Sequence, residues 1–178
     1  MNVCVDMPVG PEILGEGRRA GADRFESAIA RVERAVAGSC AGQSQWPARV
    51  AAGLEAAIEV LIADPGAARA LATDHRSGLP EHQAGYEEMI DRFARLLSRA
   101  APPADRLPGS SDRSIVTVIA AVVSCHVRAG TIDSLADGDP DLLFLALLPY
   151  LGFAEASRWS AVLSGEPRYR DVPDGRLP

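Results

Sequence analysis

The sequence predicts an all-α fold, and three of its features are typical of packed helices. Apolar residues recur three or four positions apart through most of the chain, with charged residues between them. Hydrophobic residues make up 47% of the sequence and aromatic residues only 5%, a composition that favours helices over a sheet. Prolines and glycines divide the pattern into segments of helical length. At 178 residues, the chain is long enough to bury one core.

The pattern divides the chain into one domain with a short segment at each end. Residues 1–22 contain two prolines and four glycines, which predicts a loop or disordered N-terminal segment. Residues 23–163 carry the helical periodicity and form the predicted domain. Residues 164–178 are rich in charged residues, proline and glycine, so we expect a flexible tail.

Three helices are predicted in the first half of the domain. The first runs from Asp23 to the glycines of residues 38–42 and carries an apolar stripe at helical spacing. The second begins at Trp46, which is followed by a proline in the first turn, where a missing N–H costs nothing. Asp64 and the proline after it end this helix and start a shorter third one over residues 66–76.

A fourth helix is predicted over residues 80–101 from its charge order as well as from its apolar face. Acidic residues crowd its first half and arginines its second half, which complements the helix dipole. Glu88 and Arg92 form an i,i+4 pair worth about 0.3 kcal/mol. The prolines, glycine and serines of residues 102–111 then predict a loop.

The segment 115–127 could form either a strand or a helix. Its β-branched residues favour a strand. Its length, the alanines within it, Asp112 as a possible cap and Gly130 beyond its end favour a helix. A lone strand would also have no partner strand, so we predict a helix.

The last helical segment begins at Asp139, a possible cap, followed by Pro140 in the first helical position. Residues 142–148 carry no polar side chain on any face, so all faces of this helix should be buried. The apolar stretch is far shorter than the roughly 20 residues that cross a bilayer. We therefore expect a second chain to cover one side of it. Residues 154–163 add a further turn or two, with Trp159 packing back.

Charge and cysteine content restrict the possible functions. All 18 basic residues are arginine, and the net charge is −6, so direct binding of nucleic acid by this chain is not expected. Three widely separated cysteines suggest neither a disulfide framework nor a zinc site. The N-terminus lacks the features of a signal peptide, and we expect a cytoplasmic protein with no membrane segment.

Three motifs resemble the C-terminal domain of TetR-type transcriptional regulators. They are Trp-Pro-Ala-Arg-Val at 46–50 with Ala-Asp-Pro at 63–65, His-Val-Arg-Ala-Gly at 126–130, and Leu-Leu-Pro-Tyr-Leu-Gly at 147–152. The resemblance covers about residues 23–157 and implies an antiparallel helical bundle that dimerises through its last two long helices. It also implies a pocket for a small molecule enclosed by the other helices. Members of this family carry a basic helix-turn-helix head, and no recognition helix fits within residues 1–22.

Candidate ligand contacts lie on the apolar faces of this bundle and on one histidine. We expect a largely apolar effector to enter between the first, second and fourth helices. The alternative for the aromatic and methionine residues is plain core, and for the histidine a hydrogen-bonded core or interface position. The candidate ligand-binding residues are Trp46, Tyr86, Met89, Phe93 and His126.

Candidate dimer contacts lie on the last two long helices, with structural core as the alternative. These residues are Val118, Val122, Leu143, Phe144, Leu147 and Leu148.

No catalytic residue, metal site or cofactor is predicted. Asp74, His75, Glu81 and His82 lack the spacing of a metal site. Ser124 and His126 do not face each other on a helix, so they cannot act as a catalytic pair. The leading hypothesis is therefore a homodimeric effector-binding domain of a TetR-like regulator without its own DNA-binding head. The alternatives are a ligand-free protein that heterodimerises with full-length regulators of this type and, third, a small helical enzyme.

Overall fold

The structure, a computed structural model, describes residues 11–73, 80–101, 109–136 and 139–163. Within these ranges it contains α-helices, one short 3₁₀ helix and no strand, so the predicted all-α class is confirmed. The α-helices in chain order are α1 (Pro11–Ala41), α2 (Trp46–Ala63), α3 (Pro65–Thr73), α4 (Pro80–Ala100), α5 (Gly109–Ala129) and α6 (Pro140–Leu163), with the 3₁₀ helix Ile132–Leu135 before α6.

Helix α1 begins earlier than the sequence predicts. It starts at Pro11, so the prediction of a loop is wrong for residues 11–22. Proline is tolerated in a first turn, and each internal glycine costs only about 1 kcal/mol relative to alanine. Because extending an existing helix is much easier than nucleating one, the amphipathic part from Asp23 onward can carry these glycines. Residues 1–10 and the predicted tail 164–178 lie outside the described residues.

Side-chain caps fix the start of two helices where the sequence predicts them. The Asp64 carboxylate accepts a hydrogen bond from the Ala67 N–H at 2.9 Å and pairs with Arg31 at 2.6 Å. The Ala67 bond, followed by the Arg31 bond, lowers the pKa of this carboxyl below its usual range. The Asp139 carboxylate accepts from the Asp141 N–H at 2.8 Å and caps α6 in the same way.

The ambiguous segment 115–127 is helical and lies within α5. Its start at Gly109 falls inside the predicted loop 102–111, so that prediction is wrong for residues 109–111. Gly130 ends the helix with a φ of 70°, and its N–H bonds the Val127 carbonyl at 3.2 Å. The Thr131 N–H bonds the His126 carbonyl at 2.9 Å. These two bonds form a Schellman motif, for which glycine is the favoured residue.

Helix α6 bends at Gly152. This residue has φ 74° and ψ 172°, outside the helical region, and divides α6 into two helical parts. Pro149, three residues earlier, has no N–H to donate within the helix. The bend therefore lies at the end of the Leu-Leu-Pro-Tyr-Leu-Gly motif and sets the direction of the segment that carries Trp159.

The helices pack so that α1 and α2 form one side of the bundle and α4 and α5 another. Helix α3 bridges α1 and α5, and α6 packs against α2 and α5. One buried cluster joins Trp46 of α2 and Ile115 of α5 with Leu143, Leu147 and Tyr150 of α6. Further clusters lie between α1 and α4, among α1, α2 and α3, and among α2, the 3₁₀ helix and α6.

Two predicted dimer contacts belong to this core. Leu147 has no exposed surface, and Leu143 is 5% exposed within the single chain. Leu147 and Leu143 therefore lie in the core of the single chain, which is the alternative given for them above. The reason is that α6 presents one stripe to α2 and α5, so its own fold covers that side. Leu145, on the same helix, remains 36% exposed.

Candidate functional site

An apolar cavity of about 500 Å³ lies inside the bundle. Helices α1 to α5 all contribute to its wall, and α6 adds Ala146. It therefore lies between the first, second and fourth helices, where the sequence places the ligand, and extends to α3 and α5 as well. Its volume falls within the range of about 300–1,000 Å³ that is usual for small-molecule sites.

The wall of this cavity is made almost entirely of apolar side chains. Among the described wall residues, the polar ones are Cys40, Arg49 and Ser124. Alanines on several helices, among them Ala57 and Ala120, leave the space that larger side chains would fill. The chemistry of the lining therefore suits a ligand with a largely apolar body and few polar groups.

Arg49 lies at the start of α2 and holds the α1–α2 loop. Its Nε donates to the Gln43 carbonyl at 2.8 Å, and its Nη2 donates to the Ser44 carbonyl at 3.1 Å. The half-buried Cys40 thiol donates to the Arg49 carbonyl at 3.3 Å. Burial raises the pKa of this thiol, and the nearby Arg49 charge only partly opposes that effect. Cys40 is therefore a neutral wall residue rather than a reactive thiolate.

Close packing of α1 against α2 explains why Cys40 and Arg49 are neighbours. A methyl group at Gly53 would lie 3.3 Å from Cγ1 of Val36 and 3.4 Å from the sulfur of Cys40. The glycine thus permits the close approach of the two helices at this end of the cavity. Ser124 reaches the wall from α5 and is 7% exposed.

Of the predicted ligand contacts, Met89 and Phe93 line the cavity. Both are on the inner face of α4, where the sequence places its apolar stripe. Tyr86, one turn before, packs against the cluster of Phe25, Ile29, Met89 and Ile90 and is not part of the wall. Burial raises the pKa of its phenol. Tyr86 is therefore not among the described residues that line this cavity.

Trp46 is a core residue rather than a cavity residue. Its ring meets that of Tyr150 edge to face, with 4.8 Å between the centroids. The Tyr150 hydroxyl donates to the carboxylate of Asp112, which is 3% exposed. Burial, then the Asp112 bond, raises the pKa of Tyr150 well above its usual range. The predicted ligand role of Trp46 is thus replaced by a structural one between α2 and α6.

His126 also lies away from the cavity, at the end of α5. Its Nδ1 is 3.1 Å from the Thr131 hydroxyl and 3.3 Å from the Ser134 hydroxyl. These contacts tie the C-terminus of α5 to the 3₁₀ helix. His126 is not among the described residues that line the cavity, and it is hydrogen-bonded, as the alternative given for it above expects.

The remaining candidate dimer contacts keep accessible surface. Val118 is 47% exposed, and Val122, Phe144 and Leu148 are half-buried. The Phe144 ring meets the ring of Phe153 at 5.5 Å, and Phe153 is itself 73% exposed. Helices α5 and α6 thus carry apolar side chains that a second chain could cover.

Sequence reasoning missed the polar residues of the cavity and its small wall residues. Arg49 is recognisable in the sequence only as part of a motif. The acid-free run from Arg34 to Leu54 does not single it out, because residues 113–132 form a second run of similar length without an acidic residue. The alanines on inward faces give no signal either, since alanine is common on every face of a helix.

Comparison with protein-family models, with curated proteins and with solved structures gives no match. In the described ranges, no helix is long and apolar enough to cross a membrane. Within these same ranges, no group of His, Cys, Asp or Glu side chains is arranged to hold a metal ion. The side chains of Asp74, His75, Glu81 and His82 lie outside the described residues.

Proposed function

We propose that this chain is the effector-binding and dimerisation domain of a TetR-like regulator and binds an apolar small molecule in the α1–α5 cavity. The proposal rests on the cavity itself. It is lined mainly by apolar side chains and has a volume of about 500 Å³, which is large enough for a small molecule. An apolar occupant would remove this apolar surface from water, which is favourable.

The resemblance at 46–50, 126–130 and 147–152 supports the regulatory part of the proposal. Those motifs lie at the start of α2, at the end of α5 and at the bend of α6, which are the places where the bundle changes direction. A ligand that packs between α1, α2 and α4 would favour one arrangement of these helices over another. Dimerisation would use the exposed apolar side chains of α5 and α6, and this chain itself would not bind DNA.

A cavity-filling substitution tests the ligand-binding proposal. Ala120→Trp places an indole in the cavity from α5, whereas Ala121→Trp, at the next position, adds the same group to an exposed site. We expect wild type and Ala121→Trp to bind the neutral fluorophore N-phenyl-1-naphthylamine. Ala120→Trp should bind it at least about ten-fold more weakly, because the ring occupies its space. Fluorescence titration measures this, with circular dichroism to confirm that each variant is folded.

Unchanged binding by folded Ala120→Trp would contradict the cavity as the binding site. Loss of binding in both variants would mean that the fluorophore occupies a surface site.

One observation favours a second candidate function, a protein that heterodimerises with full-length TetR-type regulators without a ligand. Val118 and Phe153 are each more than two-fifths exposed, which is typical of a surface that another chain covers. Co-expression with a full-length regulator of this type separates the two functions. Recovery of heterodimers alone would favour this candidate, and recovery of homodimers favours the first.

A further inference from the structure

The exposed part of the described cavity wall lies at the end of α1. Among the described wall residues, Ala37 and Ala41 are the exposed ones and lie one turn apart on the same face of α1, so we place the mouth of the cavity there. Arg49, which is also part of the wall, lies across the loop that joins α1 to α2. The opening is therefore flanked by two small side chains and one permanently charged side chain.

The Arg49 guanidinium has capacity for a further partner. Its two hydrogen bonds go to the neutral carbonyls of Gln43 and Ser44, and a guanidinium offers more N–H donors than these two. Among the described residues, it makes no ion pair with a carboxylate. The loop carbonyls thus fix its orientation without neutralising its charge.

The chain segment that carries Ala37, Ala41 and Arg49 has no acidic side chain, although the chain is acidic overall. Residues 34–54 contain two arginines and no acidic residue, against a net charge of −6 for the sequence. The Cys40 thiol beside Arg49 is kept neutral by burial, so it supplies no compensating negative charge. An anionic group that arrived here would meet an attractive field and a planar donor.

Resting on the function proposed above, we propose that the ligand is an amphiphilic monocarboxylic acid, with its apolar body in the cavity and its carboxylate on Arg49 at the mouth. The apolar wall accepts the hydrocarbon part, and its polar groups are too few to satisfy a buried charge. A head group at the mouth keeps contact with water and avoids that cost. The guanidinium matches a carboxylate through paired N–H donors, which a hydroxyl cannot use equally well.

The test compares three ligands that share one hydrocarbon chain and differ only in the head group. Decanoate, decanol and decylammonium are titrated against the full chain at pH 7 by isothermal calorimetry, below their micellar concentrations. We expect wild type to bind decanoate roughly ten-fold more tightly than decanol. Decylammonium should bind more weakly than decanol because its charge is repelled by Arg49. This series needs no variant, so it does not depend on the folding of one.

Two charge-removing substitutions then show which arginine causes the preference for decanoate over decanol. Arg49→Gln should reduce this preference to about one- to two-fold. Arg34→Gln removes a charge from the same acid-free stretch, but its side chain is exposed, bonds the Ala30 carbonyl and is not part of the wall. It should keep most of the preference. Arg49→Lys keeps the charge without the planar donor and should lie between wild type and Arg49→Gln.

Each outcome supports or overturns a stated part of the proposal. If decanol binds as tightly as decanoate, the head-group assignment is overturned, and the apolar ligand site stands. If Arg34→Gln loses the preference as fully as Arg49→Gln, contact with Arg49 is overturned in favour of a diffuse field. If none of the three ligands binds, the proposed ligand-binding function fails together with this inference.

Discussion

At the scale of single residues, the contact between Tyr150 and Asp112 joins two helices that are distant in sequence. The hydroxyl and the carboxylate are 38 positions apart, and both residues are buried. Asp112 is in the first turn of α5, where its charge is favourable to the helix dipole. The sequence identifies Asp112 as a possible cap and Tyr150 as part of a motif. It cannot pair them, because their meeting depends on how α5 and α6 pack.

Removal of the Tyr150 hydroxyl should destabilise the fold. Tyr150→Phe keeps the edge-to-face contact with Trp46 but leaves the buried Asp112 carboxylate without its donor. We expect the free energy of unfolding to fall by about 1–3 kcal/mol at pH 7 in urea denaturation. In a double-mutant cycle with Asp112→Asn, the coupling energy should exceed about 0.5 kcal/mol. Additive effects of the two substitutions would contradict a direct contact.

The same substitution should change the stability at alkaline pH. The pKa of Tyr150 is raised in the folded chain, so its stabilising contribution is complete below the ordinary tyrosine pKa of about 10. Above that pH the unfolded chain loses the proton first, so stability should fall as the pH rises toward the folded value. The chain has no lysine, which leaves tyrosines and cysteines as the side chains that titrate in this range. Tyr150→Phe should therefore show a shallower alkaline fall than wild type.

At the scale of elements, helix ends are the features that the sequence predicts best. Asp64, Asp139 and Gly130 each act at the helix end that their residue type indicates. The exceptions are the starts of α1, which continues back to Pro11 through glycines that predict a loop, and of α5, which begins at Gly109 inside a predicted loop. Local propensity fails there because glycines cost a helix too little to stop its extension once the amphipathic part has formed.

The bend of α6 should depend on glycine at position 152. Its φ of 74° and ψ of 172° lie in a region that residues with a side chain rarely adopt. Gly152→Ala should therefore lower the free energy of unfolding by about 1–3 kcal/mol, although a Cβ there meets no atom within 4 Å. Chemical denaturation measures this change.

Gly38→Ala is the matched control for this substitution. Gly38 lies inside α1, also has nothing within 4 Å of an added Cβ, and has ordinary helical backbone. Alanine should stabilise that site by about 0.4–1 kcal/mol. Equal effects of the two substitutions would mean that backbone conformation at Gly152 does not limit stability.

At the scale of the whole molecule, the resemblance implies a pocket, but the sequence could not predict which side chains form its wall. The apolar stripes identify Met89 and Phe93 as inward-facing, and both line the cavity. The same pattern also selects Trp46 and Tyr86, which fill the core instead. Periodicity gives the face of a helix but not the depth of the space that it faces. That depth is set by small residues on other helices, such as Ala57 and Ala120.

The oligomeric state can be predicted from the apolar side chains that remain accessible in the single chain. We expect the wild type to sediment as a dimer through α5 and α6, because Val118 and the aromatic pair Phe144–Phe153 are the kind of surface that association covers. Val118→Arg should raise the dissociation constant of the dimer by roughly ten-fold or more, because a buried interface gains an unpaired charge. Analytical ultracentrifugation over a concentration series measures this dissociation constant.

Two further variants separate an interface effect from a folding effect. Val162→Arg adds the same charge at a valine of similar exposure, 45% against 47%, but outside the predicted interface, so the dimer constant should stay unchanged. Leu147→Ala should reduce the free energy of unfolding by about 2–5 kcal/mol, because the side chain is fully buried in its own chain. Wild type that sediments as a monomer at high concentration would contradict the dimer. Equal increases in the dimer dissociation constant for Val118→Arg and Val162→Arg would contradict the proposed interface. Of these two positions, only Val118 belongs to it.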